Sequence, residues 1–208
     1  MAKTISGSFI PRAEKSPSLS IGLYFGSFNP VHTGHLIIAQ HALEQAKFDY
    51  VWFVISPQNP FKQKKNLLPA YERLKMVELA LEGNERMMAS NVEFRLPNPS
   101  YTIDTLTHLA DTYKSYAFSL IMGQDNLTHF HKWKNYESIL KYYSVWVYPR
   151  PGYVPGEIDS HEHIHIFEAP LLDISATYIR QKLKNGQSVR YLVPDTVFQY
   201  MTSEALYS

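Results

Sequence analysis

Apolar positions along this chain recur with two different periods, and their alternation predicts an architecture before any single residue's chemistry is considered. Ile21 to Phe25 is a short apolar run closed by Gly26, and Tyr50 to Ile55, reading YVWFVI, is a second run rich in β-branched and aromatic side chains. Both predict strands. Between them Leu36, Ile37, Ala39, Ala42, Leu43 and Ala46 fall at helical spacing, so strand, loop, helix and strand follow one another at the length a parallel crossover needs. Leu74, Val77 and Leu81 share one face of a helix expected over 70–81, and a strand is expected near Val92 to Leu96. Ile103, Leu106, Leu109 and Tyr113 predict a further helix, which leads into Ala117 to Met122 (AFSLIM), a run apolar enough for a strand buried on both faces. Val145 to Tyr148 and Ile164 to Phe167 read as later strands. Ser175 is placed to cap a helix that continues through Lys184 and stops at Gly186, and a last helix begins after Asp195. Alternating strands and helices predict a single-domain α/β fold, a doubly wound parallel sheet that binds ligands at the carboxyl ends of its strands, where the strand order reverses.

A chain of 208 residues and 24.0 kDa suits one core. Its formal net charge of +1 offers no broad electrostatic footprint for a nucleic-acid backbone or an anionic membrane, so small-molecule partners are expected, with a homo-oligomer left open. The absence of cysteine excludes a disulfide framework, a thiolate nucleophile and Cys-ligated zinc, and it suits a reducing compartment, so the cytoplasm is expected. Residues 1–19 contain Pro11, Pro17 and several serines but no apolar stretch of the kind a signal peptide needs. They read as a flexible tail ahead of a domain over 20–208.

The densest chemistry is the run Gly26-Ser27-Phe28-Asn29-Pro30-Val31-His32-Thr33-Gly34-His35, between the first strand and the first helix. Gly26 would let the backbone turn and approach a phosphate, and the helix that follows offers unpaired N–H groups and a positive dipole end. His32 and His35, three apart, share one face of a first helical turn, with Gly34 removing bulk between them. An isolated pair would more often simply cap the helix; the flanking glycines and prolines favour an anion site. A zincin pair is spaced by four with a Glu after the first His, and that Glu is missing, so no protein-bound metal is expected. His161, His163 and His165 alternate and would share a strand face, but no second cluster completes a metal site. They are expected in an exposed loop entering an edge strand.

His32-Thr33-Gly34-His35 resembles the (T/H)xGH signature of the nucleotidylyltransferase superfamily. Similarity to bacterial nicotinate-nucleotide adenylyltransferases extends through Pro60-Phe61-Lys62, Arg73, Tyr101 to Leu106, Gly123-Gln124-Asp125, Trp133 to Glu137, Arg150-Pro151-Gly152 and Ile174 to Arg180. The order and spacing of these blocks, from residue 22 to 186, make the resemblance specific. It implies a Rossmann-like nucleotidylyltransferase fold and adenylyl transfer from ATP, with its Mg2+, to nicotinate mononucleotide. It also implies that His32, His35, Lys62 and Arg180 hold the reacting phosphates. ATP would further meet Gly26, Ser27, Phe28, Gly34, Gly123, Asp125 at the ribose, Ile174, Ser175 and Thr177. Asn29, Thr102, Trp133, Lys134 and Arg150 would meet the nicotinate nucleotide, with the pyridine ring stacked on Trp133.

One departure touches the loop. Most members read Gly-Gly-Thr-Phe-Asp-Pro, whereas this chain has Phe25-Gly26-Ser27-Phe28-Asn29-Pro30, which keeps a hydroxyl at Ser27 but loses a charge at Asn29. Two rivals stay open on the residues alone: adenylyl transfer to another small phosphate acceptor (nicotinamide mononucleotide or phosphopantetheine), and a non-catalytic nucleotide-sensing module. An RNA-binding relative of the tRNA synthetases would need a basic surface, which the charge does not supply.

Overall fold

Six parallel strands make the sheet of the computed structural model, which describes residues 19–57, 67–97, 99–150, 155–170 and 172–207. In chain order the elements are β1 (Leu19–Gly26), α1 (Thr33–Gln45), β2 (Tyr50–Ile55), α2 (Ala70–Leu81), β3 (Met87–Ser90), α3 (Thr102–Thr112), β4 (Tyr116–Gly123), α4 (Gln124–Leu127), α5 (Tyr136–Tyr142), β5 (Val145–Tyr148), β6 (Ile164–Ile166), α6 (Ala176–Lys184) and α7 (Asp195–Ser203). The strand order is β3-β2-β1-β4-β5-β6. The chain therefore winds outward from β1 in one direction, returns to its other side at β4, and winds outward again. Leu23 at the centre of β1 pairs with Trp52 on one side and Leu120 on the other. The reversal lies between β1 and β4, so the loops after Gly26 and Gly123 open from adjacent strands at the carboxyl edge, where such folds bind ligands.

Both faces of the sheet are covered, which is why its central strands read as near-continuous apolar runs. On one face Ile38, Ala39, Ala42 and Leu43 of α1, Met76 and Val77 of α2, Ile179 of α6 and Val197 and Met201 of α7 pack into one cluster with Tyr24 and Ile121. On the other, Leu106 and Leu109 of α3, Leu127 of α4 and Ile139 and Leu140 of α5 pack with Ile21, Leu23, Phe118, Leu120 and Met122. Alternate residues of β1 and β4 thus feed opposite layers. No described helix is long and apolar enough to cross a membrane.

The strand expected near Val92 to Leu96 is instead a 3₁₀ helix, Val92–Arg95, and the third strand comes earlier, at Met87–Ser90, paired with Val51 to Val54. Alternating apolar and polar residues at 92–95 mimic a strand, but it is the polar member, Glu93, that is buried. Its carboxyl accepts a hydrogen bond from Thr105 Oγ1 at 2.8 Å, which holds the segment against α3 rather than in the sheet. Met87-Met88-Ala89-Ser90 has no β-branched residue and joins the sheet through its neighbour's hydrogen bonds. α4 and α5 are too short to display a helical period and were not legible. β6 stops at Ile166, one residue short of expectation, although Phe167 N–H still donates to Val147 O at 3.1 Å. β1 begins at Leu19, one residue before the expected domain boundary; the rest of the expected tail lies outside the described residues.

Leu106, fully buried where α3 meets the sheet, tests this layering. Leu106→Ala is expected to cost about 2–5 kcal/mol of stability in urea unfolding, the transfer loss plus the cavity left behind; a cost below about 1 kcal/mol would remove α3 from the core.

Candidate active site

The loop leaving β1 is built around two buried groups, an aromatic ring and a guanidinium. Phe28 adopts a left-handed backbone, φ 45°, and this turns its ring into the core. There it meets Tyr24, Phe53 and His35 at centroid distances of 5.7, 5.4 and 5.1 Å. A Cβ at Gly26 would lie 2.7 Å from that ring. The glycine therefore makes room for Phe28. Beneath the loop, Arg73 of α2 is fully buried. Its Nη1 donates to Ser27 O at 2.6 Å and Ser56 O at 2.9 Å, its Nη2 to Pro57 O at 3.0 Å, and its Nε to Leu68 O at 3.0 Å. Burial lowers the guanidinium's pKa, but an arginine starts high enough to stay charged. Charge-assisted bonds of this kind are the strong ones. They tie the ends of β1 and β2 to the approach to α2.

His32 and His35 come together at the start of α1. His32 is the N-cap and its backbone N–H donates to His35 Nδ1 at 3.2 Å; the rings lie 3.7 Å apart, tilted by 30°. Because Nδ1 of His35 accepts, a neutral His35 carries its proton on Nε2, which is then a donor. His32 is buried, and its Nδ1 has no hydrogen-bond partner among the described residues. Burial, helped by the positive charge of Arg150, pushes its pKa down to about 4. A Cβ at Gly34 would come within 3.1 Å of that Nδ1, so the glycine seats the ring. The helix end is less open than expected, since the N–H and the hydroxyl of Thr33 both donate to Leu192 O, at 3.0 and 3.1 Å.

A second helix end closes on the first. Ser175 caps α6 as predicted, its Oγ accepting from Tyr178 N–H at 3.2 Å, and Ile174 before it packs near Gly34. From α6, Arg180 Nη1 donates to Asn29 O at 2.6 Å and Nη2 to Thr177 Oγ1 at 3.2 Å. Asn29 is itself buried, and its Oδ1 accepts from Tyr207 Oη at 2.7 Å and from Leu68 N–H at 3.3 Å. That oxygen faces inward, so the expected contact between Asn29 and a nicotinate nucleotide is not one its Oδ1 is positioned to make.

Across the reversal, a Cβ at Gly123 would sit 2.5 Å from Asp125 Oδ1, so glycine there leaves the carboxylate its place. Arg150 Nε lies 3.7 Å from Asp125 Oδ1, its guanidinium 5.3 Å above the Tyr148 ring, and its N–H bonded to buried Gln124 Oε1 at 3.1 Å. Arg150 was expected at the pyridine nucleotide together with Trp133; its contacts in the structure are with Asp125, Tyr148 and Gln124, and its charge acts on His32.

Thr102, Trp133 and Lys134 do come together, around a cavity of about 100 Å3 that Gly26, Glu93 and Ser100 also line. Half-buried Trp133 leans on Phe130 at 5.1 Å. Lys134 Nζ bonds both oxygens of Asp104, at 3.1 and 3.0 Å, over the Tyr101 ring. Burial raises the pKa of Glu93 against the pull of its hydroxyl neighbours. Buried Ser100 Oγ approaches that carboxyl without a well-formed hydrogen bond. Lys62 lies outside the described residues. His165 lies in the edge strand β6 with its ring on Trp146, 4.8 Å between centroids, while His161 and His163 precede the strand.

Sequence reasoning missed the roles of Arg73 and Glu93 and had no view of Tyr207. Arg73 carried a signal, a lone cation on the apolar face that Met76, Val77 and Leu81 define. Tyr207 carried none, because its contact spans 178 residues.

A family model described as cytidylyltransferase-like matches residues 23–182. A relative from Flavobacterium psychrophilum named "Probable nicotinate-nucleotide adenylyltransferase" is 48% identical over 191 residues, covering 91% of this chain and 99% of its own. One of the same name from Cytophaga hutchinsonii is 49% identical over 190 residues, with coverage of 91% and 99%. The solved Plasmodium falciparum nicotinic acid mononucleotide adenylyltransferase complexed with NaAD superposes with a TM-score of 0.77, covering 91% of this chain and 97% of its own, at 17% identity, a likeness of fold.

His32 generates a pH test. Its folded pKa of about 4 lies below the ordinary 6.5, so protonation favours the unfolded chain. The resulting stability is present above pH 6.5 and lost as pH falls toward 4. Between pH 7 and pH 5 wild type is expected to lose about 2 kcal/mol more in urea unfolding than His32→Gln does. Equal losses in the two proteins would contradict the buried neutral imidazole.

Proposed function

The chain belongs to the nicotinate-nucleotide adenylyltransferases, within the cytidylyltransferase-like family, and we propose that its chemistry runs at the sheet's reversal point, between the paired imidazoles and Arg180. The enzyme transfers the adenylyl group of ATP to nicotinate mononucleotide, giving deamido-NAD and pyrophosphate in NAD biosynthesis. In such a transfer the acceptor phosphate attacks the α-phosphorus in line while pyrophosphate leaves opposite, so positioning and charge neutralisation supply most of the catalysis.

The observation that carries the residue assignment is convergence on one stretch of backbone. Arg180, 151 residues distant, grips Asn29 O, three residues before the buried His32, whose Nδ1 has no partner among the described residues. His35, protonated on Nε2, donates to a non-bridging oxygen of the reacting phosphate, and neutral His32 stands beside it. Neither is a nucleophile. Arg180, its fork already oriented by Asn29 and Thr177, presents its other donors to the β- and γ-phosphates beside the capped end of α6. Lys62 adds a point charge to the triphosphate, and magnesium arrives bound to it. Ser27, Ser175 and Thr177 bring hydroxyls to the phosphates, and Asp125 accepts from the ribose hydroxyls while Arg150 restrains its carboxylate.

The pyridine ring lies against Trp133, and its carboxylate meets Thr102 and the backbone that follows Trp133. An amide would present an NH2 donor to N–H donors and leave one unpaired, a mismatch that discriminates strongly when buried.

Pyrophosphate release from ATP, followed with nicotinate and nicotinamide mononucleotides as acceptors, tests the substrate. The acid is expected to react with the higher kcat/KM; equal efficiency, or preference for the amide, would refute the acceptor reading. His35→Ala is expected to lower kcat about 10²-fold or more, as loss of a transition-state contact does. A near wild-type kcat would remove His35 from the phosphate site.

A further inference from the structure

We propose that Tyr207 is a positioning residue for the triphosphate, its hydroxyl bracing Asn29 so that Arg180 is held on line with the β- and γ-phosphates. The proposal rests on the assignment of Arg180 to those phosphates and extends it to a segment that touches no substrate.

The geometry is a chain of bonds. Tyr207 Oη donates to Asn29 Oδ1 at 2.7 Å, and the carbonyl of the same residue receives Arg180 Nη1 at 2.6 Å. The segment carrying Tyr207 turns back after α7: Leu206 N–H donates to Met201 O at 2.9 Å, Tyr207 takes a left-handed φ of 67°, and Leu206 and Tyr207 both pack against the core. Such a φ is costly for an aromatic residue, so packing and the hydroxyl contact must hold it. Arg180 and Arg73 both lie close enough to Tyr207 to act on its hydroxyl, which burial nevertheless keeps protonated and therefore a donor. Asn29 is thus clamped from two directions. Leu68 N–H, beside the carbonyl that Arg73 grips, meets the same Oδ1 from the α2 side. An unbraced Asn29 would let its carbonyl swing, and the arginine fork would lose the anchor that aims its remaining donors.

Equilibrium binding of ATP and of AMP, measured by calorimetry on the full chain without acceptor, tests this. Tyr207→Phe keeps the ring and removes only the hydroxyl. ATP affinity is expected to fall about fivefold, the scale of one hydrogen bond, with AMP affinity unchanged, because only the triphosphate reaches Arg180. Tyr200→Phe is the control: it loosens the same C-terminal element by removing a 2.7 Å bond to Glu72 without touching Asn29, and it should leave ATP affinity at the wild-type value. Unchanged ATP affinity in Tyr207→Phe, a parallel fall for AMP, or the same fall in Tyr200→Phe would each overturn the proposal. Arg180→Ala separates the two levels. Weaker ATP binding there with none in Tyr207→Phe overturns the bracing role alone, whereas no effect in either variant overturns the assignment of Arg180 with it.

Discussion

A single buried cation holds this site in shape. Arg73 is enclosed on every side and spends its guanidinium on carbonyl oxygens of Ser27, Ser56, Pro57 and Leu68. A desolvated guanidinium is tolerable only where such acceptors surround it, and removing any of them would leave part of its charge uncompensated. The loops at the ends of β1 and β2 and the approach to α2 are therefore fixed relative to one another. On that platform Phe28 turns inward, Asn29 is clamped, and the two histidines meet at the head of α1. Ser27 and, a few residues on, the paired histidines follow from a loop that Arg73 fixes, an arrangement suited to catalysis by positioning.

Much of the fold could be read from the chain because its signals were local. The runs at Ile21 to Phe25, Tyr50 to Ile55 and Ala117 to Met122 lie at the centre of a sheet covered on both faces, so hydrophobicity and strand identity coincide there. Ser175 capped the helix it was expected to cap. The failures came where tertiary contacts overrode a local period. At 92–95 the alternation was that of a strand, yet the residue facing the interior was Glu93, whose partner Thr105 belongs to α3. β3, with methionines in place of β-branched residues, is a strand only because β2 offers it an edge.

The site was legible in its parts and not in its joints. The histidine pair, Asp125, Arg180, Thr102 and Trp133 could all be named from the chain as candidates; the structure brings the two histidines together at the head of α1 and lines one cavity with Thr102 and Trp133. What the chain could not disclose was which residues hold these in place. That the absent Cβ of Gly26 makes room for Phe28, and that Arg150 lies beside Asp125, are contacts the chain did not announce. Asn29, notable for a missing charge, matters for what its two oxygens receive, from Tyr207 and Leu68 at Oδ1 and from Arg180 at the carbonyl. The contacts of Asn29 with Tyr207 and Arg180 join residues 178 and 151 positions apart, beyond the reach of any periodicity.

The central claim is that the triphosphate lies between the head of α1 and Arg180, at the reversal of the sheet. A crystal structure with a non-hydrolysable ATP analogue and nicotinate mononucleotide tests it most directly. The account places His35 Nε2 and an Arg180 nitrogen each within about 3 Å of phosphate oxygens, hydrogen-bonding distance, with the pyridine ring against Trp133. A triphosphate seated away from both imidazoles, with Arg180 still turned only to Asn29 and Thr177, would contradict it.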